Sequence, residues 1–98
     1  MIDLQEKHSI LLKSILQKTV PGKDIRVFGS RVKGTARESS DIDLVLFDAQ
    51  PLPKPVFTRL YFDIQDSDLP FRVDIIEWCR VSAHFKKIIS REWEKFLF

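Results

Sequence analysis

Ninety-eight residues suffice for one small domain, so residues 1–98 are read as a single unit. With 44% hydrophobic and 31% charged residues the chain has the composition of a folded protein, and 16 basic against 14 acidic residues leave a net charge of only +2. That balance gives no electrostatic reason to expect direct nucleic-acid binding. Cys79 is the single cysteine, which excludes an internal disulfide and a cysteine zinc site and points to a reducing, cytoplasmic setting. The first twenty residues are charged throughout, unlike a secretory leader, and no apolar run approaches the ~20 residues of a membrane span.

In chain order, Leu4, His8, Leu11, Leu12, Ile15 and Leu16 recur at helical spacing, which predicts an amphipathic helix from Leu4 to Lys18, stopped by Pro21-Gly22. Ile25 to Phe28 is β-prone and runs into Gly29, as a strand entering a tight turn does. Ser30 to Lys33 reads as a short helical turn, and Gly34 to Ser40 as a polar loop. Ile42 to Phe47 is a nearly continuous apolar run interrupted by Asp43, the pattern of a strand buried on both faces. Asp48 to Pro55, with three prolines, is expected to be irregular. Phe57, Leu60, Tyr61 and Ile64 predict a second long helix with Phe57 and Tyr61 in the core, and Phe71 to Trp78 a third strand. Ser82 is a suitable N-cap for a closing helix. One face of that helix would carry Phe85, Ile88, Ile89, Trp93, Phe96 and Leu97. Phe85, Ile88 and Ile89 are assigned to packing on the sheet, while Trp93, Phe96 and Phe98 suit an interface as well as they suit packing. The fold class is therefore α/β (α+β): a small mixed β-sheet flanked by helices, in the order α-β-α-β-α-β-α.

The chemistry lies in three segments. Gly29-Ser30 is followed after ten residues by Asp41-Ile42-Asp43, and about thirty residues later by Arg72-Val73-Asp74. Side chains two apart on a strand share a face, with Cα atoms ~6.6 Å apart, so Asp41 and Asp43 can converge while Ile42 enters the core. Asp74 lies in the same kind of apolar strand. Grouped carboxylates repel, and a hard divalent cation removes that cost; magnesium favours carboxylate oxygens together with substrate phosphates. Each aspartate also has a purely structural reading: Asp41 as a cap, Asp43 as a strand-edge residue, Asp74 as an ion-pair partner of Arg72. Gly29 permits a positive φ and a close approach of backbone to ligand; Ser30 offers a hydroxyl and amides to an anion, and Arg31 and Lys33 add positive charge. Carboxylates with one or two Mg²⁺ beside a phosphate-binding turn suit an in-line displacement at phosphorus, with Asp74 also able to accept a proton.

Phe28-Gly29-Ser30-Arg31-Val32-Lys33-Gly34, Asp41-Ile42-Asp43 and Leu69-Pro70-Phe71-Arg72-Val73-Asp74 resemble the minimal nucleotidyltransferases of the polymerase β-like superfamily, the small prokaryotic type paired with HEPN proteins. The resemblance runs from about Ile25 to Ile89. It implies a polymerase β-like nucleotidyltransferase fold and transfer of AMP from ATP, with Mg²⁺, to a hydroxyl. It also implies metal binding by Asp41, Asp43 and Asp74, triphosphate contacts from Gly29 and Ser30, and a separately encoded helical HEPN partner. In such pairs the nucleotidyltransferase acts as the antitoxin of a toxin–antitoxin pair by adenylylating its partner. Larger family members carry a helical substrate-binding region after this core, so a partner is expected to supply it. Two alternatives stay open: an aminoglycoside-type enzyme acting on a small molecule, and a non-catalytic module that neutralises its partner by occlusion. The oligomeric state is also open, a homo-oligomer included.

Overall fold

The computed structural model describes residues 1–98, and its centre is a four-stranded sheet in the order β3-β2-β1-β4. β1 (Ile25–Phe28) pairs antiparallel with β2 (Ile42–Leu46) and with β4 (Trp93–Lys95), whereas β3 (Val73–Glu77) runs parallel to β2. The parallel pair needs a crossover, which α3 (Lys54–Gln65) supplies. The sheet is mixed, as expected, but it has four strands rather than three.

Strand alternation divides the sheet into two unequal faces. Ile25, Val27, Ile42, Leu44 and Leu46 point to one side, where they join Leu12, Leu16, Leu52, Leu60 and Phe71 in the hydrophobic core. α1 (Glu6–Thr19) and α3 cover that side and pack on each other. Leu12 and Leu16 are fully buried, which is what the four-residue spacing of an amphipathic helix achieves. α3 begins three residues before the expected Phe57. Pro55 lies in its first turn, where a missing amide hydrogen and a fixed φ cost nothing. Tyr61, expected in the core, is about half exposed on the outer side of this helix.

The second face is covered by α4 (Ala83–Ser90), capped as expected by the Ser82 hydroxyl, which accepts from the Phe85 amide at 3.2 Å. Ile89 is buried, but Phe85 and Ile88 are only partly covered. The expected long closing helix is overturned here. It ends at Ser90, and Trp93–Lys95 form β4 instead. Extended backbone places Trp93 and Phe96 on opposite faces. Trp93 packs against Phe47 (5.5 Å) and Trp78 (5.1 Å), with the Arg26 guanidinium 4.3 Å above its ring. Phe96 donates its amide to Ile25 at 2.8 Å and enters the core on the other side. Phe96 is thereby buried in the core, and Trp93 is half-buried in the aromatic cluster rather than displayed on a helical face.

Candidate active site

The pairing register draws one row across the end of the second face: Trp93 opposite Phe28, Phe28 opposite Asp43, Asp43 opposite Asp74. β1 ends where β2 and β3 begin, because β1 is antiparallel to β2 and β2 is parallel to β3. The turn leaving β1 and the carboxylates opening β2 and β3 therefore meet at the same end of the sheet. Asp41 precedes β2, and Ile42 between the two aspartates is fully buried, as its position demands.

Gly29 has φ +78° and ψ −153°, a conformation that is essentially reserved for glycine. A Cβ there would stand 2.5 Å from Asp43 Oδ2. The absent side chain is thus filled by the carboxylate, and turn and acid are fitted to each other. The following helix α2 (Ser30–Lys33) returns amides of Val32 and Lys33 to the Gly29 carbonyl, both at 3.0 Å. Ser30 is half-buried at its start and Lys33 is exposed in its last turn.

Asp43 lies next to Asp74 in the ladder and near Asp41. Partial burial pushes its carboxyl above the ordinary range, and the charges of Asp74 and Asp41 push it the same way; Arg72 opposes them. Arg72 provides the only cation paired with this cluster, through Nη2 at 3.3 Å from Asp74 Oδ2 and 3.6 Å from Asp41 Oδ2. The ion pair considered for Asp74 in the sequence is thus present, and it extends to Asp41. With the guanidinium among them, the carboxylates do not form a group of three gathered closely enough to hold a metal ion. Their chemistry nonetheless fits one: an all-carboxylate donor set, crowded and short of positive charge, suits a hard oxygen-seeking cation such as Mg²⁺. Asp41, Asp43 and Asp74 are the residues that would hold it.

Arg31, expected to face phosphate, does not join this group. It is 5% exposed and points inward. Its guanidinium donates to the carbonyls of Asp3 (3.0 Å), Glu38 (3.2 Å) and Ser40 (3.2 and 2.6 Å) and lies 4.5 Å from the centre of the Phe71 ring. Arg31 thereby anchors the loop that delivers Asp41. No local sequence signal marks this role, since its partners are backbone carbonyls of other segments. His8 is half-buried with its ring edge-on to Phe71 at 5.4 Å, and His84 is exposed, so neither approaches the carboxylates as a further ligand. No helix is long and apolar enough to cross a membrane.

A glycine turn closing one strand, an Asp-x-Asp opening the next and a third aspartate on its parallel neighbour are set on a mixed α+β sheet. Comparison with known proteins agrees with that class. Residues 9–96 match the nucleotidyltransferase domain family. The Probable protein adenylyltransferase MntA of Haemophilus influenzae is 39% identical over 90 residues, which cover 92% of this chain and 79% of that protein. The Protein adenylyltransferase MntA of Thermococcus cleftensis is 32% identical over 94 residues, 94% of each chain. Among solved structures, a toxin–antitoxin with AMP-PNP superposes with a TM-score of 0.71 at 21% identity, covering 91% of this chain and 72% of that one. The tri-AMPylated HEPN toxin of Shewanella oneidensis in complex with MNT antitoxin gives 0.68 at 18% identity, covering 96% and 72%. These likenesses show that the chain shares the fold of those proteins. On sequence, the chain belongs to the nucleotidyltransferase domain family.

Proposed function

We propose that this protein is a Mg²⁺-dependent protein adenylyltransferase that moves AMP from ATP to a hydroxyl of a helical HEPN-type partner, acting as the antitoxin of the pair. The observation that carries the reading is the row placing Asp43 beside Asp74, with Asp41 next to both and the Gly29 turn fitted against Asp43. The names of the two relatives support protein as the acceptor class, and the solved neighbours are toxin–antitoxin complexes, one carrying an AMPylated HEPN toxin.

In this reading the Gly29–Ser30 turn receives the triphosphate, with its amides and the Ser30 hydroxyl as donors and Lys33 as a nearby charge. A divalent cation held by Asp41, Asp43 and Asp74 would supply charge neutralisation at the phosphates and would lower the pKa of the acceptor hydroxyl. The acceptor oxygen forms a bond to the α-phosphorus as the bond to pyrophosphate breaks, and pyrophosphate leaves. Asp74 accepts the hydroxyl proton. Arg31 holds the Glu38–Asp41 loop in place and takes no part in binding. The ATP supply sets the reaction in the cytoplasm.

The test is label transfer. Incubating the protein with α-labelled ATP, Mg²⁺ and the helical partner is expected to label the partner, and chelation of the metal is expected to stop it. Asp43→Asn is expected to lower the rate by at least about a hundredfold, the scale on which loss of one preorganised electrostatic group is felt. Equal labelling by wild type, Asp41→Asn and Asp43→Asn would refute the assignment.

A further inference from the structure

Two arginines border the acidic cluster, and they are held in opposite ways. Arg31 is buried and donates to three different carbonyls. The side chain of Arg72 is 72% exposed and reaches both Asp41 and Asp74 through a single nitrogen, at 3.6 and 3.3 Å. A guanidinium can grip a carboxylate with two parallel hydrogen bonds, and that is the strong form of the pair. Arg72 forms it with neither partner. Each contact is a solvent-exposed, one-pronged pair of the kind that contributes little on its own. Their location gives them meaning, because Arg72 supplies the cation shared by carboxylates that would otherwise repel.

We infer that Arg72 is a resident counter-ion of the metal-free protein, which a divalent cation must displace from Asp41 and Asp74 in order to bind. The inference rests on the proposed metal-binding role of those carboxylates. A point dication competes well for the same oxygens, and the exposed arginine side chain can move into solvent without leaving a cavity. Arg72 therefore keeps the cluster neutral enough to fold without metal, at the expense of metal affinity. Because the guanidinium is not a ligand, its removal is expected to strengthen metal binding, the reverse of what removing a supporting residue does.

Isothermal titration of Mn²⁺, without nucleotide, into wild type, Arg72→Gln and Arg72→Lys separates these roles. The dissociation constant of Arg72→Gln is expected to fall about three- to tenfold, the range that two exposed ion pairs can supply. Arg72→Lys, which keeps the charge but not the fork, is expected to lie between the two. Independently of any variant, the Nε–H resonance of Arg72 in the wild type is expected to shift during a Mg²⁺ titration. Unchanged or weaker Mn²⁺ binding by Arg72→Gln, or an unmoved Arg72 resonance while Mg²⁺ binds, overturns the displacement. If neither wild type nor Arg72→Gln binds Mn²⁺, the metal reading of the carboxylates falls, and this inference falls with it.

Discussion

At the scale of single residues, the site is set by a void and by a crowded charge. Gly29 leaves the space that the Asp43 carboxylate occupies, and its backbone lies where other residues rarely go. Gly29→Ala combines both penalties, so a loss of about 1–3 kcal/mol in urea unfolding is expected, together with loss of label transfer. If the variant unfolds at the wild-type midpoint and remains active, the fit between turn and acid has no consequence. Asp43 predicts a second effect. Its carboxyl titrates above the ordinary range in the folded protein, so the folded state binds a proton that the unfolded state at the same pH does not. Stability is therefore lower above the raised pKa, where the carboxylate is charged in both states, and the deficit disappears as pH falls toward about 4. In chelator, Asp43→Asn is expected to melt above wild type at pH 7, with the gap closing on acidification. A gap that stays constant with pH would show that charge crowding is not its cause.

At the scale of elements, the parts legible in the sequence are those whose signal is local. Ile25–Phe28 and Ile42–Leu46 are mainly apolar segments between turn residues, each broken by one charged residue, and the spacing of Asp41 and Asp43 states directly that both face away from Ile42. The third aspartate needed only a strand parallel to the second. β4 was hidden for the opposite reason. Ile89, Trp93 and Phe96 recur at intervals of four and three, which a helix satisfies, and three residues of strand are too few to display alternation. What selects the strand is distant: pairing with β1 and the aromatic cluster of Phe47, Trp78 and Trp93. The same distance hid the orientation of Arg31, because a cation after a glycine turn looks the same from the sequence whether it faces phosphate or carbonyls. The strand assignment has a sharp consequence. Phe96 is 4% exposed and Leu97, its neighbour, is 74% exposed. Phe96→Ala is expected to cost about 3–5 kcal/mol, as for a buried aromatic ring, and Leu97→Ala no more than about 0.5 kcal/mol. Comparable losses from the two substitutions in chemical denaturation would contradict the inward–outward alternation of the segment that follows β4.

At the scale of the whole molecule, a small domain must hold a repulsive acidic cluster with little core to spare. A protein of this kind has a net stability of only about 5–15 kcal/mol, so the device that fixes the cluster must be strong without being large. The single buried charged residue, Arg31, meets that requirement. Its guanidinium joins the N-terminal segment at Asp3 to the Glu38–Ser40 loop and lies over Phe71, just before the strand that carries Asp74. One side chain thus connects the supports of Asp41 and Asp74, which are far apart in sequence. Removing it would leave several carbonyls without a donor and a gap beside Phe71. Arg31→Ala is expected to cost about 2–4 kcal/mol, and Arg31→Lys less, since a lysine keeps the charge but cannot reach the same set of carbonyls. A purely global loss would speed amide exchange everywhere, whereas a lost anchor acts first on what it held. Hydrogen exchange under native conditions should therefore show earlier opening of residues 34–41 than of β1 and β2 in either variant. In Arg31→Lys, which keeps more of the fold, label transfer should decline together with protection of that loop. If the loop stays protected and transfer still collapses, Arg31 would be acting on the nucleotide itself, and its inward position would have to be a feature of the nucleotide-free protein only.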